Sequence, residues 1–128
     1  MLNLKKYYYS ILKNSELSVR IGEDRILSAY PEKVLSFPCV IFEDVTQSDT
    51  EFSDNLPQAT KARVRVHVYT KALDGYDTTT TLGKIIHDVF RNHWWGCTSN
   101  GEASDPDTTV RHRIMEFSRE FYGPLADE

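Results

Sequence analysis

Apolar residues recur at helical spacing in two segments of the chain. In each segment they lie at offsets of about 0, 3, 4, 7 and 8 residues, which places them along one side of a helix. The first set is Leu4, Tyr7, Tyr8, Ile11 and Leu12, and the second is Leu82, Ile85, Ile86, Val89 and Phe90. Asp77 and the threonines at 78–81 offer N-caps for the second helix, and Gly96 is predicted as its C-terminal glycine. Gly83 within that helix indicates a close backbone approach.

Alternating apolar and polar positions predict strands in the middle of the chain. The valines of segment 62–70 alternate with Arg63, Arg65 and His67, so one face of this strand is apolar and the other is basic. Segment 39–45 begins with a nearly continuous apolar run, which is typical of a strand buried on both faces. These two strands are joined without a helix, and we therefore expect them to pair antiparallel.

Weaker strand patterns flank this central pair. Segment 25–29 is a short strand candidate, and alternation of apolar residues at 17, 19 and 21 precedes it. The last strand is predicted at about 109–122. Its apolar residues change parity between Ile114 and Met115, which indicates a bulge or a change of burial partner.

Together these elements predict an α+β fold in which two helices pack on one face of a mainly antiparallel sheet. The chain is read as one domain over 1–128, with a polar connection or hairpin arm at about 46–60, a second polar stretch at 97–109 and a loose tail at 123–128. The predicted core consists of Leu4, Tyr8, Ile11, Leu12, Val40, Phe42, Val64, Val66, Val68, Leu82, Ile85, Ile86, Val89 and Phe90.

Composition excludes several classes of protein. A chain of 128 residues with a net charge of −4 has the size of one domain and lacks the basic balance usual in nucleic-acid binders. No apolar run approaches the roughly 20 residues that span a bilayer. Tyrosines follow Lys5 and Lys6 where a signal peptide needs an apolar stretch, so secretion is not expected. Cys39 and Cys97 are expected to be reduced, unpaired thiols, although one disulfide between them stays open.

No catalytic or metal-binding motif is present in the sequence, and neither an enzyme, a metal site nor a cofactor is predicted. His87 and His93 lie six residues apart on the predicted helix and do not share a face, whereas a helical zinc pair needs a spacing of about four. His93 and Cys97 have that spacing, but Gly96 interrupts the helix between them. A nucleophilic dyad of Cys97 with His93 would lack any surrounding family signature.

Charge is distributed unevenly along the central hairpin. Carboxylates gather in 43–54, and cations follow in 61–71. The candidate subunit-interface residues are Glu43, Asp44, Asp49, Glu51, Asp54, Lys61, Arg63 and Arg65. Three explanations stay open: cross-strand pairing within the chain or a solvated face, contact between subunits, and phosphate binding by the basic strand with help from Arg111 and Arg113.

The order of these segments resembles the small tail-terminator, or tail-completion, proteins of long-tailed bacteriophages. The resemblance covers about residues 4–95. It is carried by the N-terminal helix, Arg20-Ile21 to Tyr30-Pro31, Phe37-Pro38-Cys39-Val40-Ile41-Phe42, Arg63-Val64-Arg65-Val66-His67-Val68-Tyr69-Thr70 and Leu82-Gly83-Lys84-Ile85-Ile86.

The resemblance implies a structural α+β protein without catalytic activity. Proteins of this family assemble as a ring, expected to be a hexamer, which caps the tail-tube protein and docks on the head connector or stopper protein. The implied location is the virion at the head–tail junction, after assembly in the host cytoplasm. DNA would pass through the ring without specific binding, and no membrane is involved. The alternatives are a head-closure or neck adaptor protein and, from another class, a small nucleic-acid-binding domain using strand 61–71.

Overall fold

The computed structural model describes residues 4–28, 36–53, 56–104 and 108–122, and for 49–53 and 56–58 it describes the backbone alone. The helices α1, α2 and α3 span Lys5–Lys13, Glu16–Ile21 and Thr79–Asn92. The strands β1 to β5 span Ile26–Leu27, Cys39–Ser53, Leu56–Lys71, Gly96–Ala103 and Val110–Tyr122. The fold class is α+β, as the sequence predicts. The predicted loose tail at 123–128 lies outside the described residues.

The five strands form one mixed sheet in the order β1-β2-β3-β5-β4. Only the short pairing of β1 with β2 is parallel, and all other described pairings are antiparallel. Val40 lies opposite Val68, so the predicted antiparallel pairing of segments 39–45 and 62–70 is confirmed. The polar stretch at 46–60 does not form a long loop, because the ladder between β2 and β3 continues until Ser53 lies opposite Leu56.

The helices pack on one face of the sheet, and there are three of them among the described residues rather than the two predicted. The alternation at 17, 19 and 21 belongs to α2 and not to a strand. Ser15 caps this helix by accepting a hydrogen bond from the Leu17 backbone N–H at 3.2 Å. Leu17 and Ile21 are buried while Val19 is 84 % exposed. Residues four apart share a helical face, so two members of the alternating set also satisfy the helical period.

Helix α3 ends at Asn92, two residues before Trp94. The residue that takes the left-handed backbone conformation after the helix is Trp94 rather than the predicted Gly96. Thr78 caps the N-terminus by accepting from the Thr81 N–H. At the C-terminus, the N–H of Trp94 donates to Arg91 and that of Trp95 donates to Phe90, which is the Schellman pattern. Trp94 takes φ of 70° at the position where glycine is usual. The Trp95 and Phe90 rings are in contact, and this contact favours closing the helix at Asn92.

The second polar stretch also forms a strand where the sequence predicted a loop. Segment 96–103 is the edge strand β4, and seven of its eight residues are exposed. An exposed edge strand needs no apolar alternation, so the sequence pattern carries no signal for it. In β5 the pairing with β3 is continuous, so the parity change reflects a change of burial partner: Val110 packs on the side opposite the helices, while Met115 and Phe117 pack beneath them.

The core lies between the helices and the covered face of the sheet. Phe90 and Phe117 stack with ring centroids 4.4 Å apart, and Tyr8 contacts Phe42 and Trp95. Of the predicted core residues, Ile85 and Val89 are only partly buried at its margin. The others are buried: Leu4, Tyr8, Ile11, Leu12, Val40, Phe42, Val64, Val66, Val68, Leu82, Ile86 and Phe90.

Candidate functional site

The face of the sheet opposite the helices, here called the open face, carries a continuous row of charged and polar side chains. Odd-numbered residues of β3 point to this face because their even-numbered neighbours are the buried valines. The antiparallel register places Arg65 between Glu43 of β2 and Glu116 of β5. We call this row the charged ladder, and its members are Arg63, Glu116, Arg65, Glu43, His67 and His112.

Ion pairs connect the ladder across three strands. The Arg65 guanidinium donates to Glu43 Oε1 at 3.3 Å and to Glu116 Oε1 at 3.4 Å. Arg63 donates to the same Glu116 oxygen at 3.5 Å. Two guanidinium groups and two carboxylates are therefore balanced within one chain. Both arginine side chains stay about two-fifths exposed, at 43 % for Arg63 and 38 % for Arg65, so water screens these pairs.

The ladder continues into a pair of stacked histidines. Nε2 of His67 lies 2.9 Å from Glu43 Oε1, and its Nδ1 lies 2.9 Å from Nε2 of His112. Because an ionised carboxylate only accepts, Nε2 of His67 carries the proton in that contact. The hydrogen bond from His67 is the main influence that lowers the pKa of Glu43 below its ordinary value, and Arg65 adds to it. His112 also stacks on Tyr69 with ring centroids 4.1 Å apart.

A small apolar cluster lies beside the ladder on the same face. It contains Cys39, Ile41, Tyr69 and Val110, with Leu27 and Phe37 packed against it. Burial raises the pKa of the Cys39 thiol to about 11, partly offset by nearby Arg25. Such a thiol is protonated at neutral pH and is a poor nucleophile, so Cys39 packs as a small apolar residue.

The predicted interface residues are divided between the two faces. Glu43, Arg63 and Arg65 belong to the charged ladder, and Lys61 is exposed in the first half of β3, opposite Ser48 and Glu120. Asp44 points to the helix side, where its carboxylate accepts from Gln47 at 2.9 Å and from the Tyr8 hydroxyl at 3.4 Å. Burial, with the Asp44 charge second, raises the pKa of Tyr8. The side chains of Asp49 and Glu51, and all of Asp54, lie outside the described part of the chain.

Sequence reasoning missed Glu116 and His112, which complete the ladder. Both have the parity of Ile114 on β5, but their role depends on β5 lying next to β3 rather than on any pattern within β5. No pattern within the sequence therefore identifies Glu116 as a partner of Arg65. Glu43 and Asp44 are adjacent in β2 and point to opposite faces of the sheet, as alternation along a strand requires.

Both outer edges of the sheet are open over long stretches. β1 pairs only with Val40 and Ile41, so among the described residues β2 has no neighbour on its outer side from Phe42 to Ser53. At the other edge, β5 is the one strand of the described part of the chain that pairs with β4. A register shift interrupts β2 near Asp44 and β4 near Cys97. The β2 edge and the β4 edge carry different residues, so the sheet presents two unlike surfaces.

Other chemistry finds little support in the described residues. Cys97 Sγ donates to the Ser99 carbonyl and His93 Nδ1 donates to Val89, so the hydrogen bonds of this pair go elsewhere. Cys39 and Cys97 are both free thiols. Within 4–28, 36–53, 56–104 and 108–122 no group of three or more His, Cys, Asp and Glu residues is placed to hold a metal ion. None of the helices in this part of the chain has both the length and the apolar character needed to cross a membrane.

Compared with protein families and with curated proteins, the sequence gives no match.

Proposed function

We propose that this protein is a self-assembling structural subunit of the tail-terminator type, whose ring caps the tail tube of a long-tailed phage and joins it to the head connector. The observation that carries the proposal is the pair of unlike open edges on a single sheet. A closed ring repeats one heterologous contact around an axis, and that contact needs two different surfaces on each subunit. Long unpaired edges are a liability in a free monomer and are normally covered or blunted.

The one-sided arrangement of helices adds support. The helices bury the apolar side chains of β3 and β5 on the covered face, while the charged ladder leaves the open face polar and partly hydrated. A ring subunit needs surface that faces a lumen or a neighbour and yet dissolves in water before assembly. A face of balanced ion pairs meets both needs. It also suits a channel through which DNA slides, because a strongly basic lining would hold the phosphates.

The nucleic-acid alternative is less favoured by the same geometry. Arg63 and Arg65 each lie against a carboxylate of their own chain, so a phosphate would have to compete with Glu116 and Glu43. Ion pairs within the chain therefore explain the presence of Arg63 and Arg65 on this strand without a phosphate ligand. The neck adaptor alternative predicts binding to the head connector without capping of tubes, and the experiment below separates it from a terminator.

The test adds the purified protein to tubes of the tail-tube protein encoded in the same genome. We expect rings at tube ends in electron micrographs and arrest of further elongation. Gly101→Lys places a cation on edge strand β4, where nothing lies within 4 Å of an added Cβ, and is expected to reduce capping at least tenfold. Asn92→Lys makes the same charge change at the exposed end of α3 and should cap normally.

Two results would contradict the proposal. Tubes that elongate unchanged in a molar excess of the protein would exclude a terminator. Normal capping by the folded Gly101→Lys variant would show that the β4 edge is not part of the ring contact. Light scattering of each variant, with circular dichroism as a check of folding, distinguishes a failure of assembly from a failure to fold.

A further inference from the structure

A concave site lies on the helix side of the sheet, on the face opposite the charged ladder. It is a cavity of about 300 Å³ between α3 and the paired strands β4 and β5. Its lining residues are Thr80, Gly83, Lys84, His87, Asn100 and Arg113. The lining therefore brings together two permanent cations, a histidine, a hydroxyl group and a side-chain amide. Cavities of this size suit small ligands.

Arg113 is the unusual residue of this site, because its charge is buried with incomplete compensation. Its side chain is only 16 % exposed. One terminal nitrogen donates to Asn100 Oδ1 at 2.8 Å and the other donates to Thr80 Oγ1 at 3.3 Å. Both acceptors are neutral. The Nε atom is buried and has no hydrogen-bond partner among the described residues. Buried polar groups are nearly always satisfied, so this arrangement requires an explanation.

The nearest carboxylate does not neutralise Arg113 fully. Glu102 Oε1 lies 3.8 Å from the guanidinium, beyond hydrogen-bond distance, and it accepts a hydrogen bond from the Thr79 hydroxyl at 2.7 Å instead. The Glu102 side chain is 55 % exposed, so water screens its charge. An anion entering the cavity would gain an electrostatic attraction that Glu102 only partly cancels.

The backbone of α3 is shaped to hold Arg113 in this position. A Cβ at Gly83 would lie 3.0 Å from Arg113 Cδ, which is closer than a relaxed contact allows. The predicted close backbone approach at Gly83 is wrong in its partner, because the group that lies close is the Arg113 side chain. Lys84 and His87 lie three residues apart on α3 and share the face beside Gly83. Asp88 lies 3.8 Å from the His87 ring and is the carboxylate closest to it in the described contacts.

We propose that this cavity binds the phosphate group of a small phosphomonoester. Arginine with lysine is the combination that suits a tetrahedral dianion, since guanidinium donates through two parallel N–H groups and ammonium adds a compact charge. Thr80 and Asn100 add neutral hydrogen-bonding groups. The cavity exceeds the volume of a phosphate alone, which leaves space for the organic part of an ester. The cavity borders β4, whose edge belongs to the proposed ring contact. Phosphate binding is measured on the isolated protein, so its failure and a failure of tube capping are distinguishable.

The experiment measures binding of inorganic phosphate and of glycerol 3-phosphate by calorimetry, with sodium chloride at matched ionic strength as the reference. We expect saturable binding of both, tighter for the ester. Lys84→Gln should weaken binding about tenfold or more, as removal of a charged hydrogen bond does. Arg113→Lys keeps the charge but loses the fork, and should weaken it similarly. Lys6→Gln makes the same charge change on exposed α1 and should bind as the parent protein does.

Three outcomes would overturn the proposal. Heats no larger than those of sodium chloride would exclude a phosphate site. Equal weakening by Lys6→Gln and Lys84→Gln would show non-specific attraction to the whole surface. Tighter binding of a single-stranded oligonucleotide than of glycerol 3-phosphate, with a steep salt dependence that Lys84→Gln removes, would assign the cavity to a nucleic-acid backbone instead.

Discussion

The two faces of the sheet are stabilised by different physics. On the covered face, Phe90 and Phe117 are essentially excluded from water and stack at 4.4 Å. On the open face, the side chains of the charged ladder meet across the strands, and Arg65 and Glu43 remain 38 % and 42 % exposed. Burial of a large apolar side chain contributes roughly 1.5–3 kcal/mol. A half-exposed ion pair typically contributes about 0–1 kcal/mol.

The two faces of the sheet therefore contribute differently to the stability of the fold. The covered face supplies most of the folding free energy, because its apolar side chains need the helices to leave water. The charged ladder of the open face adds little stability for the number of side chains it orders, whereas the apolar cluster around Ile41 on the same face is buried. Under the proposed function, the row of balanced charges on the open face serves contact with a neighbour or a lumen rather than stability. Each experiment below tests that division.

The largest effect is expected on the covered face. Phe90→Ala removes a fully buried ring from between Tyr8, Trp95 and Phe117 and leaves a cavity, at a cost of about 3–5 kcal/mol in the free energy of unfolding. That is a large share of the about 5–15 kcal/mol usual for a domain. Urea denaturation at pH 7 measures it. Phe90→Leu serves as the milder control. A loss below about 1 kcal/mol would mean that the helices do not carry the core.

A smaller effect is expected on the open face, and it depends on pH. Glu43→Gln should lower the free energy of unfolding at pH 7 by no more than about 1 kcal/mol, because the carboxylate is partly exposed. The pKa of Glu43 is lowered in the fold, chiefly by the hydrogen bond from His67. Its stabilisation is thus present above the unfolded-state pKa of about 4.3 and is lost as the pH falls through the lower folded-state value.

Urea denaturation of Glu43→Gln and the parent protein between pH 7 and pH 2.5 follows this difference. The two free energies of unfolding should converge at the acid end. Asp74→Asn, at an exposed turn residue, is the matched control and should track the parent throughout. A loss above about 2 kcal/mol at pH 7 would show that the open face stabilises the fold as the covered face does.

The smallest effect is expected at Trp94, an exposed residue beyond the helix layer. It is 82 % exposed, and its left-handed backbone is unfavourable for any residue except glycine. Trp94→Gly should raise the free energy of unfolding by up to about 1 kcal/mol, measured by thermal unfolding. Asn92→Gly, within the last helical turn, should lower it by about 0.3 kcal/mol, because asparagine is itself a poor helix former. A destabilised Trp94→Gly variant would place Trp94 with the core instead of with the exposed surface.

Periodicity predicted the elements that bury a face and missed those that do not. Leu82, Ile86 and Phe90 give α3 its apolar side, and Val64 with its alternating neighbours gives β3, since burial imposes a period on the sequence. Strand β4 buries almost nothing, so its sequence resembles a loop. Helix α2 is too short for its period to be told from alternation. Three of the six residues of the charged ladder, Glu43, Arg63 and Arg65, are among the interface residues predicted from the sequence.

The sequence alone determined the fold class, the two long helices, the central antiparallel hairpin and the opposed directions of Glu43 and Asp44, because each follows from local period and strand parity. Only the tertiary structure decided that β5 lies beside β3, which gives Arg65 its second carboxylate, and that Arg113 crosses Gly83 to complete a cavity. Neighbours in a sheet and across a helix are chosen by packing between distant segments. That choice leaves no mark on the residues of either segment taken separately.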